Sequence, residues 1–138
     1  MLNEATISSF RASLRGGLSE AGDPNYDASR KVYNGMIDRH PALIIRCSSP
    51  DDVARAIAFG RDHGAPIAVR GGGHNGGGLG VVDDGVVIDL SSMADVVVDP
   101  DSGAVRVGGG ATWPFGAGSA ETFGKTRVRS AGSTGFTR

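Results

Sequence analysis

The sequence predicts an α+β fold in which strands outnumber helices, and three observations predict it. Short apolar runs of strand length recur at 43–45, 67–69 and 86–88. One well-capped helical segment lies between the first two runs. A pair of alternating segments around a Pro-Asp-Ser-Gly turn follows at 95–108. The length, 138 residues, suits one domain. With 21% charged and 39% hydrophobic residues the chain reads as globular rather than disordered.

Residues 4–15 place Ile7, Phe10 and Leu14 at helical spacing and predict a short amphipathic helix. Residues 16–30, rich in Gly, Asp, Pro and Ser, predict a loop, with Asp23-Pro24-Asn25 as its turn. Leu43-Ile44-Ile45 predicts a buried strand. Ser49 is the expected N-cap of the next helix, with Pro50 at its first position and two acids in its first turn. Val53, Ile57, Ala54 and Ala58 are its expected buried stripe, and Gly64 its end. Ile67-Ala68-Val69 completes a βαβ unit. Val86-Val87-Ile88 is a further strand, and 95–99 with 104–108 a β-hairpin. Residues 1–36 are read as an N-terminal helix and loop, and 37–138 as the body of the domain.

Fourteen Lys and Arg against fifteen Asp and Glu give a net charge of −1, so no general basic field invites nucleic acid. No run of 18 apolar residues predicts a membrane span. The N-terminus MLNEATISSFR does not read as a secretory signal, and a cytoplasmic location is the expectation. The single cysteine, Cys47, excludes an intramolecular disulfide and reads as a small buried residue. His40 and His63 have no partners at metal-ligand spacing, and His63 sits near a helix C-terminus. Tyr26 and Tyr33 read as packing residues.

Glycine is the outlier, at 23 residues. Eight lie between Gly71 and Gly85 and three more are Gly108, Gly109 and Gly110, so nearly half sit in two short blocks, each after a strand-like run. Such clusters allow positive φ and close approach of backbone to a ligand. Residues 71–76, Gly-Gly-Gly-His-Asn-Gly, formally satisfy G-x-G-x-x-G. A Rossmann turn must open a helix, whereas this loop continues through Gly77 and Gly78 toward a strand. Gly124-Lys125-Thr126 resembles the end of a P-loop, but Ser119 stands where the first glycine belongs. What remains is a loop whose own amides wrap an anion as a nest, with Arg70 at its entrance adding charge or tying the loop down.

Residues 39–113 resemble the N-terminal part of the flavin-dependent oxidases of the vanillyl-alcohol-oxidase/para-cresol-methylhydroxylase (PCMH-type) fold, berberine-bridge-enzyme-like branch. The resemblance is carried by RHPALIIRCSSPDDVARAIAFGRDHGAPIAVRGGGHNGGGLG (39–80), GVVIDLSSM (85–93) and VRVGGGATW (105–113), and most specifically by Arg-Gly-Gly-Gly-His at 70–74. DASRKVYNGMIDRHPALI (27–44) is also typical of bacterial members. It implies a partial FAD-binding domain of an oxidoreductase acting on an alcohol-, sugar- or alkaloid-like substrate. The implied FAD contacts are Arg70, Gly71, Gly72, Gly73, His74, Asn75, Gly78, Leu79 and Gly80, with Gly109 and Trp113 at the pocket floor. It also implies His74 as the residue bonded through a ring nitrogen to the flavin 8α carbon. Taken alone, a histidine in a glycine loop reads first as a donor to backbone or phosphate; the Gly-Gly-Gly-His context turns the reading toward attachment.

Beyond Trp113 the pattern departs. The 114–138 segment carries a net +3 and one aliphatic residue among Val, Ile and Leu, Val128. The expectation is a truncated chain with an out-of-frame or unrelated tail that supplies no strand or helix with a buried face. Its scattered charges make a weak nucleic-acid arm. No substrate base is recognisable, so a small-molecule substrate is expected only if further regions complete the site. The rival expectations are a non-catalytic remnant binding FAD weakly or not at all, and a Rossmann-type binder with a helix starting near Gly76.

Overall fold

A computed structural model describes residues 3–112 and the two-residue strand 127–128. Among the described residues there are three helices and seven strands. They are α1 (Glu4–Ser13), β1 (Gly17–Glu20), α2 (Tyr26–Arg30), β2 (Leu43–Arg46), α3 (Pro50–Asp62), β3 (Ile67–Arg70), β4 (Val86–Asp89), β5 (Val96–Asp99), β6 (Ala104–Val107) and β7 (Arg127–Val128). The α+β expectation holds.

The main sheet has the order β1-β2-β4-β3. Strands β2, β4 and β3 are parallel, and β1 is antiparallel on β2. The βαβ unit is therefore split, because β4 lies between β2 and β3. All four residues of β4 are buried, as a central parallel strand covered on both faces requires. On one face Leu18, Leu43, Ile45, Cys47, Val86 and Ile88 pack against Ala56 and Phe59 of α3, with Phe10 of α1 stacked on Phe59 at 4.1 Å between ring centres. On the other face Ile44, Ala68, Val81 and Val87 pack with Tyr26.

Residues 16–30 are not one loop. Gly17–Glu20 is a strand and Tyr26–Arg30 a short helix. Only Leu18 of β1 is fully buried, so the strand arises from pairing with β2 rather than from its own pattern. Through β1 and α1 the first 36 residues share the core of the rest.

Helix α3 begins as expected. Ser49 Oγ accepts from the Asp52 amide at 3.3 Å, Pro50 opens the helix, and Gly64 follows its end at φ +61°. Its buried stripe differs from the expected one: it is Asp52, Ala56, Phe59 and Gly60, with Val53 at its margin, while Ala54 and Ala58 are exposed and Ile57 is 40% exposed. The Asp52 carboxylate fixes this phase. It accepts from the amides of Arg15 (2.9 Å), Gly16 (3.0 Å) and Ser48 (3.0 Å) and from Ser48 Oγ (3.0 Å). Gly60 lets the helix lie against Ile67, whose Cδ1 would stand 2.7 Å from a Cβ there.

The hairpin forms as predicted, β5 antiparallel to β6, with Gly103 at φ +66°. The tail contributes a two-residue strand, Arg127–Val128, paired in parallel with Ala104–Val105; the expectation that it supplies no buried face concerns side chains outside the described ones. Such pairing draws on backbone groups of an edge strand and needs no apolar pattern. The P-loop-like Gly124-Lys125-Thr126, Trp113, and the charges Glu121, Lys125, Arg129 and Arg138 lie outside the described residues.

Candidate functional site

The glycine loop runs from β3 toward β4 over residues 71–85, with no helix in it. That removes the Rossmann reading, which needs one near Gly76. Arg70 and Asp89 are register partners at the ends of β3 and β4. Both are buried, and their ion pair closes at 2.8 Å. Asp89 is held below the usual carboxylate range: burial alone would raise it, but bonds from Ser91 and Arg70 outweigh that. The Arg70 guanidinium also donates to the carbonyls of Ser29 and Lys31, the latter at 3.3 Å. Of the two roles open to Arg70, the structure displays the tying one, which fixes the root of the loop to the segment after α2.

The two glycine blocks meet. A Cβ on Gly71 would lie 2.4 Å from the Gly109 carbonyl oxygen, and one on Gly110 would lie 1.7 Å from that of Leu90. Backbone therefore touches backbone where the main sheet joins the hairpin. Gly73 adopts φ +70° and Gly78 φ +72°, conformations that L side chains rarely adopt.

Asn75 folds the middle of the loop on itself. Its Oδ1 accepts from the amides of Gly77 and Leu79, each at 3.1 Å, and its carbonyl accepts from Gly78 at 3.1 Å. Gly78 and Gly80 are buried, against Ile37 and the Arg70 side chain respectively, while Leu79 is 72% exposed. The amides of Gly72, Gly73, His74, Asn75 and Gly76 meet no acceptor among the described residues. Backbone N–H groups are obligatory donors. Five in succession left to solvent or ligand, on a backbone bare of side chains at six of the nine positions from 72 to 80, fit the diphosphate of a dinucleotide.

His74 is exposed and stands on this open face. Its imidazole lies over Gly72, where a Cβ would come within 2.7 Å of Cε1, and meets the ring of Tyr33 in a T-shaped contact at 5.6 Å and 75°. Of the two tyrosines read as packing residues, Tyr26 is buried with its hydroxyl donating to the Pro41 carbonyl at 2.7 Å, whereas Tyr33 is 79% exposed and packs only on the loop surface. Sequence reasoning missed the segment that covers the loop, because some 40 residues separate it from its partners. A hollow of about 500 Å³, lined by residues including Ser19, Asn25, Ile44 and Arg46, includes no residue of the glycine loop. Cys47 is buried as expected, and burial followed by the nearby Asp52 and Asp89 pushes its thiol up to about 11. His63 caps α3, its Nδ1 2.8 Å from the Phe59 carbonyl oxygen.

A family profile described as FAD binding domain matches residues 41–115, more than half of the chain. The chain belongs to the FAD binding domain family. This FAD binding domain is 37% identical over 98 residues to the (R)-6-hydroxynicotine oxidase of Paenarthrobacter nicotinovorans, a match covering 71% of this chain and 21% of that protein. It is 28% identical to the uncharacterized FAD-linked oxidoreductase YgaK of Bacillus subtilis, over 91% of this chain and 31% of that one. The solved glucooligosaccharide oxidase from Acremonium strictum, which has a 6-S-cysteinyl, 8α-N1-histidyl FAD, superposes with a TM-score of 0.69 at 31% identity, over 76% of this chain and 22% of that one. The FAD binding domain thus has the PCMH-type oxidase fold and spans between a fifth and a third of the length of these relatives. No helix among the described residues is long and apolar enough to cross a membrane.

Proposed function

We propose that this FAD binding domain holds the cofactor's diphosphate on the amides of Gly72–Gly76 and bonds the flavin 8α carbon through a ring nitrogen of His74, within an oxidase of an alcohol-, sugar- or alkaloid-like substrate. The carrying observation is the run of five acceptor-free amides with an exposed imidazole in its middle. The histidyl linkage of the glucooligosaccharide oxidase flavin supports the second half of the reading.

Bound flavin would supply the redox chemistry, accepting a hydride from substrate and passing its two electrons on to O₂, and attachment would exchange an 8-methyl C–H and the imidazole N–H for a C–N bond, with the two electrons and two protons released going to O₂. The residues do the holding. Gly71 and Gly72 let backbone approach the ligand. Asn75 shapes the bend. Gly78 and Gly80 turn the chain back into the core, and Leu79 offers an apolar surface beside it. Arg70 acts through the loop root rather than on the ligand.

The absorbance spectrum of the purified 138-residue chain, before and after acid precipitation, tests this. The expected result is flavin absorbance retained in the precipitate, and lost from it in His74→Ala while that variant still takes up FAD in solution. A folded wild-type chain that remains colourless after incubation with FAD would overturn the reading and leave a non-catalytic remnant.

A further inference from the structure

We propose that Tyr33 and Asn34 are positioning residues for His74: they clamp the glycine loop on both sides of the histidine and wall its imidazole into one orientation. This rests on the reading of His74 as the attachment residue and names what aims it.

The segment after α2 is tied to the loop repeatedly. Arg70 holds the Ser29 and Lys31 carbonyls. The Tyr33 amide donates to the Gly73 carbonyl at 3.0 Å. Asn34 Nδ2 donates to the Gly76 carbonyl at 2.9 Å, while its Oδ1 accepts from the Met36 amide at 3.1 Å. Val32 lies under Gly73, where a Cβ would stand 3.6 Å from the Val32 Cα. These ties fall one residue before His74 and two residues after it. They consume loop carbonyls and leave the amides of Gly72–Gly76 untouched.

The imidazole is bounded on one side by the Gly72 backbone and on another by the Tyr33 ring. An exposed histidine on a glycine-rich loop would otherwise sample several rotamers, and a nitrogen lone pair must lie along one line to form a bond. Tyr33 buries little of itself, and its hydroxyl meets no partner among the described residues, so beside its backbone tie to Gly73 the ring pairing with His74 is what the structure gives its side chain. Edge-to-face ring pairs have a preferred geometry, which suits the aiming of a planar group.

The experiment compares the wild-type 138-residue chain with Tyr33→Ala, Tyr33→Phe and Asn34→Ala. The first readout needs no flavin: the NMR shifts of the His74 ring protons, which a neighbouring aromatic ring displaces. Tyr33→Ala is expected to move them toward free-histidine values, and Tyr33→Phe to keep them. The second readout is the rate at which acid-stable flavin accumulates on adding FAD. Tyr33→Ala is expected to slow it at least tenfold and Asn34→Ala several-fold, Tyr33→Phe to restore it, and FAD affinity measured on a His74→Ala background to change less than twofold. If Tyr33→Ala leaves the ring shifts in place, the clamp is refuted whether or not flavin attaches. If the shifts move but the rate does not, Tyr33 orients the ring without aiming it, and the proposal fails. If wild type binds FAD without acid-stable attachment, the attachment reading falls and the clamp, which exists to aim that bond, falls as a positioning device while the ring shifts still report the contact.

Discussion

Asp52 shows how a single side chain can organise its surroundings. It is 1% exposed and carries a charge inside the core, with four donors around it. Asp52→Asn removes the charge and turns an amide NH₂ toward those donors. A loss of about 2–3 kcal/mol is expected from the weakened charge-assisted bonds, read from the urea midpoint. Cys47 makes a second prediction. With its thiol pushed up to about 11 it is protonated at neutral pH and walled in. An aromatic disulfide reagent at pH 7.5 should find no reactive thiol in the native chain and one per chain in urea. The buried cysteine and the helix-end His63 were legible in the sequence, because residue type and neighbours decide them locally. Asp52 and Tyr33 were not. An acid in a helix's first turn reads as dipole-complementing, and a tyrosine ahead of the first strand reads as a packing residue; the Arg15 and Gly16 amides that bury Asp52, and the His74 ring that Tyr33 meets, lie 36 or more residues away.

At the level of elements, the glycine loop predicts a contrast between positions of the same residue type. Gly71→Ala would drive a Cβ to 2.4 Å from a carbonyl oxygen that belongs to another segment's backbone, so a loss of about 1–3 kcal/mol is expected. Gly76→Ala meets nothing within 4 Å and has no positive φ, so its melting temperature should stay close to wild type. Equal destabilisation of the two would contradict the described contact between the glycine blocks. The sequence announced this loop through its clustering, and it announced the ends of α3 through Ser49, Pro50 and Gly64, since capping is local chemistry. It did not announce the phase of α3. Counting aliphatic residues favoured Ile57 over Asp52 and Gly60, while close approach to Ile67 and the needs of the Arg15–Gly16 amides set the rotation. Strand β1 was hidden for the same kind of reason: pairing with β2 makes it, and its own four residues carry little signal.

For the molecule as a whole, acid is the condition that should unfold it. Asp52 and Asp89 are both held below the ordinary carboxylate range; burial opposes ionisation in each, and hydrogen bonds overcome it. A depressed folded-state value means that the stabilisation is present above the unfolded value of about 3.9 and is lost as pH falls through the folded one. Denaturant midpoints should therefore hold from neutrality to about pH 5 and then fall, and Asp52→Asn should flatten that fall. The class and five of the seven described strands were readable in advance; strand order was not, because nothing local tells β4 to insert between its predecessors. That insertion has a consequence for synthesis. When the ribosome has released residues 43–70, β2 and β3 flank an empty lane, and their inward rims stay wet until Val86–Asp89 emerges to zip both at once. A stall in that interval leaves two sticky borders facing other nascent chains, so expression yield should depend on how quickly codons 71–89 are read.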